Sequence, residues 1–562
     1  MTINFRKVPS HADKLMSLSC QTSDKTLRNV SLSGTAALPS NFPERIVLEV
    51  GSTVVRGMAH ARGPKFFRES VRLRQALVMK KTSLIVTFAL LLICIACGSG
   101  NGGVPGGGGV FQPQGSFSKA SLSGQYAYEL TGTNGNDFSE AGFFVADGKG
   151  NITSGMDDFV QGTGNALSNP IAGTYTVGND GTGFIDVTIG GQQFEFSITI
   201  VNSSKVYMTE SDGSANASGA AEAQSAATMS TAPSGTFVFR LHNFNSLKGS
   251  MSSVGVFTLS AGTLSSGSED VLFLGGATTS LTFSGGSFNA PTSGRGSGTL
   301  VDSNGTLSFE YYVIDANHID ILPISSVGYG RAEIQSGGPF SVASLSGGYA
   351  FGSQGDILGE SRGMQTAGVF TADGNGTITT GTEDIALNGS TAASDPSSGT
   401  YTLSSNGRAD VNLTSTALGS VHKIFWLVNS SRAFFLTDDP GQTEDGTLDA
   451  QQSAAFTNST LNGQFGASMS GFDLNLGAFV DRIGALNFQG NGNLTFNFVE
   501  IDSGGFSNAP VSGTYTIASD GRVSAVLNNI SNNVIIYLVS GNDGYIIQSD
   551  PGAEIGGTMS EQ

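Results

Sequence analysis

From residue 116 onward the chain alternates short apolar and aromatic runs with polar turn pairs. In "QYAYEL" Tyr126 and Tyr128 fall on one face, as do Phe237 with Phe239 and Tyr349 with Phe351, the two-residue period of a half-buried strand. "AGFFVA", "GTGFIDVTI", "FEFSITIV" and "KVYMTE" read the same way. Between such runs stand Asp147-Gly148, Asp180-Gly181, Asn304-Gly305, Asp373-Gly374, Asn406-Gly407 and Asp520-Gly521. Pairs of this kind suit the positive-φ geometry of tight hairpins. No stretch of this region keeps a helical period. The pattern predicts an all-β chain with about eight antiparallel strands per unit. Sequential hairpins form an up-and-down meander that can close into an eight-stranded barrel, with a two-sheet β-sandwich as the alternative.

The units repeat. Gly-x-x-x-x-Gln occurs as "GAAEAQ" ending at Gln224, "GRAEIQ" at Gln335, "GTLDAQ" at Gln451 and "GTMSEQ" at Gln562, at spacings of 111, 116 and 111 residues. Unit starts are as regular: "LSGQYAY" at Leu122, "PSGTFVF" at Pro233, "LSGGYAF" at Leu345 and "LNGQFGA" at Leu461. "AGTYTV" from Ala172, "SGTYTL" from Ser398 and "SGTYTI" from Ser512 correspond, and the second unit offers "SGTLVD" from Ser297. The period is too long for a solenoid repeat and has the size of a small domain. Four tandem β-domains of about 110 residues are therefore expected, at 116–224, 225–335, 336–451 and 452–562.

Charge changes the picture before this array. Residues 1–78 hold 12 basic and 5 acidic residues, whereas the chain from Cys97 holds 13 basic and 40 acidic ones, net −27. Between them "MKKTSLIVTFALLLICIACGSG" has the plan of a secretory signal peptide over 79–96: Lys80 and Lys81, an apolar core from Leu84 to Ala96, then a small residue before Cys97. An internal signal of this kind makes 1–78 read as an over-extended start and not a domain. Residues 97–115 are a Gly-rich tether. The acidic balance excludes a nucleic-acid partner, which would need clustered Lys and Arg.

"CIAC", Cys94 to Cys97, resembles a bacterial lipobox, with Cys94 in the place where leucine is usual. The resemblance implies lipid attachment at Cys97, and hence the membrane as a partner through that anchor. Gly98 after it resembles lipoproteins sorted to the outer membrane. The lipobox, the tether and the tandem "LSGxYAF … ADGNGxIT … SGTYT" units together resemble surface lipoproteins of acidobacterial genomes. That resemblance implies an envelope location and β-domains, and implies no activity.

Candidate chemistry is sparse. Asp157-Asp158, Glu269-Asp270 and Glu383-Asp384 fall at similar places in three units, with Glu500-x-Asp502 approximating them in the fourth. Adjacent strand residues point to opposite faces, so neither pair converges as a glycosidase acid and base would. A calcium reading would draw on Asp147, Asp157, Asp158, Asp373, Glu383 and Asp384, but the loops at Asp147 and Asp373 lack the later carboxylates of a calcium loop. Turn chemistry at Asp147 and Asp373, with solvated carboxylates in the pairs, is the plainer expectation. His242, His318 and His422 have unrelated contexts and no zinc spacing. No nucleophile elbow, phosphate loop or dinucleotide fingerprint occurs. Tyr126, Tyr128, Phe143, Phe144 and Tyr175 either fill the core or line a ligand cavity, and core is the expectation. Trp426, in "HKIFWLV", is likewise expected in a core.

These features lead to a non-enzymatic envelope lipoprotein without a cofactor, displaying its domains for surface structure, adhesion or binding, with a surface glycan or protein as possible partner. The alternatives are a carrier of small hydrophobic ligands inside the barrels and, last, a glycan-active enzyme.

Overall fold

The computed structural model describes residues 116–562 apart from 163, 246–248, 359–362, 454, 503–504 and 529–532. It also describes three short strands near the N-terminus. These strands, Ile3–Phe5, Ser17–Gln21 and Leu27–Ser31, pair antiparallel in chain order. The expected signal peptide, Cys97 and tether lie outside the described residues. Residues 1–107 and 108–562 form separate units, and all four sequence repeats belong to the second. Among the described residues there is no α-helix, and none is long and apolar enough to cross a membrane.

All four domains are antiparallel barrels. The first runs up and down through Ser123–Thr133, Asp137–Asp147, Asn151–Gln161, Gly164–Val177, Thr182–Ile189, Gln192–Asn202, Lys205–Glu210 and Asn216–Ala223, and its last strand closes on its first. The third domain, from Ser346–Asp356 to Asp445–Ala450, and the fourth, from Asn462–Asp473 to Ala553–Glu561, close in the same way. In the second, Gly235–Asn245 to Val327–Ile334, the fourth strand is split into Thr279–Thr282 and Gly285–Phe288. The ring of strands there still closes, through a single pairing of Thr263 with Ser287.

The split corrects one repeat assignment. Ser297 of "SGTLVD" lies in the fifth strand, Arg295–Asp302, not the fourth. Phe288 takes the place of the SGTYT tyrosine, because its N–H reaches Gly262 O as those of Tyr175, Tyr401 and Tyr515 reach Gly150, Gly376 and Gly492. In the other domains that tyrosine pins the entering chain. Tyr175 Oη donates to Lys119 O and Leu122 O at 2.8 and 2.7 Å, across a 3-10 turn at Lys119–Ser121. Tyr401 and Tyr515 do the same to Val342 and Leu345, and to Asn458 and Leu461.

Side chains fill the barrels. Tyr126, Tyr128, Phe144 and Tyr175 pack in the first core with Leu130, Phe196 and Ile198. Each fully buried large apolar side chain of this kind contributes about 1.5–3 kcal/mol. The opening left inside the fourth barrel is about 10 Å³.

The domains are not beads on a string. Strands one and two of each domain pack on the last three strands of the next, and the fourth domain packs in the same way on the first. The second unit is thus a closed ring of four barrels. Aromatic and aliphatic clusters sit at the seams: Phe143 and Ala127 with Tyr312 and Leu322, Val238 and Val254 with Trp426 and Phe434, and Ala350 and Ala367 with Tyr537 and Ile547. Phe143 is therefore buried between barrels and not, like its neighbour Phe144, within one. At the fourth seam Val201 and Tyr207 meet Ile483.

Candidate functional site

The repeated sequence marks converge on these seams. The backbone N–H of each terminal glutamine bonds to strand one of its own domain, at Gln125, Thr236, Gly348 and Gln464. Its side-chain amide then crosses to the next domain. Gln224 Nε2 donates to Val313 O at 2.7 Å, Gln335 Nε2 to Leu427 O at 2.8 Å and Gln451 Nε2 to Leu538 O at 2.8 Å. Gln562 Nε2 donates to Ile200 O of the first domain at 2.6 Å. Four glutamines therefore make the same latch around the ring.

Each latch sits on a tight turn closed by a glycine. Gln335 and Gln451 also donate to Asn406 O and Asp520 O, and Gln562 to Asp180 O. At the first seam Gln125 makes the matching bond to Ser293 O while donating to Gln224 Oε1. The glycines that follow, Gly181, Gly294, Gly407 and Gly521, have φ between 81 and 97°, where a side chain is strained. A Cβ on Gly181, Gly407 or Gly521 would come within 2.8 Å of the glutamine amide, and one on Gly294 closer still.

Beside each of three latches lies a buried carboxylate. Asp158 of the first domain accepts from Arg295 Nε and Nη2 of the second at 2.6 and 2.9 Å, and from Tyr312 Oη at 2.5 Å. Asp270 of the second accepts from Arg408 Nε and Nη2 at 2.8 and 3.0 Å, and from Trp426 Nε1 at 2.8 Å. Asp384 of the third accepts from Arg522 Nε and Nη2 at 2.7 and 2.8 Å, and from Tyr537 Oη. Side-on, two-pronged arginine pairs are the strong, directional form of such contacts. Each carboxylate is almost fully buried and accepts one bond from its own domain, from Ser168 N, Ser280 Oγ and Ser394 N, while the next domain supplies the cation that makes its charge tolerable.

The acidic pairs are therefore not solvated, contrary to the expectation. They are strand residues whose alternation sends one carboxylate inward and its neighbour into the seam. Asp157 lies inside the first barrel, accepts from Tyr128 Oη at 2.9 Å, and is pushed up to about 6 by burial. Burial pushes Glu269 up to about 8 and Glu383 up to about 7. Asp147 and Asp373 do sit in turns. Asp147 Oδ1 accepts the N–H groups of Lys149 and Asn151 at 2.7 and 3.0 Å, and bonds from the Asn151 side chain and backbone hold it at about 2. Asp373 accepts those of Asn375 and Thr377 at 2.7 and 2.9 Å. Each turn lies at the far end of its hairpin from the pair it was to join as a calcium site. Among the described residues no group of three His, Cys, Asp or Glu is arranged to hold a metal. Trp426 is buried as expected, but in a seam and not inside a barrel.

His242 is also at a seam. Its Nδ1 lies 2.8 Å from Asp445 Oδ1 of the third domain and its Nε2 3.6 Å from Asp356. Burial opposes its charge, but these two carboxylates hold its pKa up at about 10. His318 and His422 pair locally with Asp315 and Asp438. Arg331 joins Glu222, Asp320 and Glu333, and Arg432 joins Glu333 and Asp449, so charges from three domains interlock.

One recess of about 190 Å³ opens between the second, third and fourth domains, lined by Arg240, Gln354, Gln365, Asp445, Tyr545 and Thr558 among others. In its wall Gly352 and Thr558 stand where the first seam has Glu129 and Arg331, the same repeat positions. Its wall mixes polar and charged groups with the apolar surface of Tyr545 and Ile546. It lies outside the barrels, whereas the aromatic pattern pointed to their interiors for any cavity.

The sequence alone did not disclose the latches, the seam arginines or the recess. One signal was present: an arginine follows the turn glycine in units two to four, as Arg295, Arg408 and Arg522, whereas Thr182 holds that place in unit one. No protein-family model matches the chain, and no curated protein matches it.

Proposed function

We propose that the protein is a non-enzymatic lipoprotein of the bacterial cell envelope, held by lipid at Cys97, that presents a ring of β-barrels as a surface structural or binding platform. The observation that carries the platform reading is the convergence of the repeated residues on the seams. Glutamine, turn glycine, aspartate, arginine and buried aromatic all serve to fix one barrel against the next. Barrel interiors filled by their own aromatic side chains support display over carriage of an apolar ligand, since a carrier needs internal room.

Fixing the domains changes how such a platform works. Flexibly linked sites gain avidity by searching independently, whereas sites on a closed ring act together only on a partner that matches their spacing. The test is to label cells with a palmitate analogue and compare the native chain with Cys97→Ala, then treat intact cells with protease. Labelling that depends on Cys97, with peptides released from all four domains, is the expected result. Labelling that persists in Cys97→Ala sinks the anchor assignment. Domains that become cleavable only after the outer membrane is broken sink surface display.

A further inference from the structure

The seam that joins the fourth domain to the first differs from the other three in chemistry. By strand register, Asp158 opposes Ala141, Asp270 opposes Val254 and Asp384 opposes Ala367. In the fourth domain the same position, opposite Ile483, holds Val499. The receiving partners change with it. Where the second to fourth domains offer Arg295, Arg408 and Arg522, the first has Thr182; where they offer Tyr312, Trp426 and Tyr537, it has Thr199. Acid, base and aromatic donor are lost together, on two domains that lie at opposite ends of the array.

The closing seam is built from other contacts. Val201 and Tyr207 pack on Ile483, and Tyr207 Oη lies 3.0 Å from Thr558 Oγ1. Asn497 Nδ2 donates to Asp180 Oδ2 at 2.7 Å, and Asn216 Nδ2 donates to Phe479 O and Ile501 O. Gln464 joins Gln562 on Asp180 O. This seam also holds a buried carboxylate, Asp481, beside Ser218 of the first domain, and Lys205 Nζ lies 3.4 Å from Ser560 Oγ, but among the described residues no aspartate–arginine pair crosses it.

We infer that the two ends of the array carry a matching code that lets only the fourth domain close on the first. The leaving face of the first, second or third domain, set on the first domain, would bury an aspartate against Thr182 and Thr199 with no cation to meet it. The leaving face of the fourth domain, set on the second or third, would strand a seam arginine against Val499. A buried charge deprived of its partner is strongly unfavourable, so premature closure of two or three barrels is rejected, as is pairing between wrong domains of neighbouring chains. This exclusion works by repulsion of wrong partners and not by extra affinity for the right one.

The test keeps the full chain and reads seam opening by amide hydrogen exchange of Gln192–Asn202 and Ala553–Glu561, with the radius of gyration from solution scattering. Val499→Asp alone should lower protection of those strands by on the order of 100-fold and enlarge the particle. Thr182→Arg alone should act in the same direction. Val499→Asp combined with Thr182→Arg and Thr199→Tyr should restore most of the protection, because the pair then resembles the other seams. Should Val499→Asp prevent folding altogether, recovery of a folded ring by the triple variant supports the code just as well. Either single variant closing as the native chain does, or a triple variant no better than its worst single, overturns the inference.

Discussion

Two kinds of seam hold this ring. Three join consecutive domains and each buries an aspartate clasped by arginine and an aromatic donor; the fourth joins the ends and does without. At the three consecutive seams the linker already holds the domains side by side, and the residue after each glutamine adds a backbone bond forward, from Ser225, Ser336 and Gln452 to Ile314, Val428 and Val539. An ion pair there has to set orientation, which its two-pronged geometry does well. At the closing seam no linker helps, and burying two charges would add a desolvation cost to the step that must occur across space. Orienting neighbours and bringing ends together are thus different tasks, given to different contacts.

The sharpest way to break this contrast is to remove one partner of an oriented seam. Arg522→Ala leaves Asp384 buried without a cation, held by Tyr537 Oη and the Ser394 N–H, and the expected loss is about 3–5 kcal/mol, read as a fall in the denaturant midpoint of the fourth domain. If Arg522→Ala costs less than about 1 kcal/mol, the seam carboxylates are hydrated and the contrast collapses.

Titration probes the carboxylates that point inward instead. Burial raises Glu269 to about 8 and Glu383 to about 7. A group raised in the folded state contributes stability in full below its unfolded value near 4.5, and that contribution is lost as pH rises through the folded value. Stability should therefore increase as pH falls from about 8 towards about 5. Glu269→Gln should flatten the profile by about 2 kcal/mol. A profile rising over that same range would contradict this. Glu333 shows the opposite linkage: burial raises it, yet Arg432 and Arg331 hold it down at about 2. Its contribution is present above 4.5 and is lost as pH falls towards 2.

Smaller effects test the latch. Gly407→Ala places a methyl against the Gln335 amide at a φ of 97°, and a loss of about 1–3 kcal/mol in thermal stability is expected. Last, Gln451→Ala and Gln562→Ala each remove two hydrogen bonds to backbone carbonyls, worth about 1–2 kcal/mol. Their global effects should match, whereas local exchange should rise more at Gln192–Asn202 in Gln562→Ala than at Asn533–Leu538 in Gln451→Ala, where a linker still holds the domains. Equal local effects would show that the linkers carry no part of the orientation.

How far the sequence reveals this structure depends on the range of each interaction. Strands and hairpins are local: Tyr126 with Tyr128 shows a face, and Asp373-Gly374 shows a turn. Hairpin order allows closure into a barrel but leaves a two-sheet sandwich equally open, because the pairing of first strand with last is not local. The seams are not local. Gln335 meets Gly407 and Asp158 meets Arg295, partners in different repeats with no shared pattern, and an amide donating to a carbonyl constrains no neighbouring residue type. The acidic pairs are legible as a repeat but look solvated, because their cation lies one unit downstream. The absence of arginine from unit one and of the seam acid from unit four is written in the sequence, and becomes meaningful only once the ends are known to meet.

The latch of Gln562 on Ile200 also bears on copy number. An open solenoid gains or loses a repeat at its tip and leaves the rest undisturbed. Here a fifth barrel would need every junction to turn through a smaller angle at once, and loss of one barrel would ask each to turn further. Duplication by single units is thereby penalised, so variation among descendants of such a gene should accumulate in loops and surface residues while the count of four stays fixed.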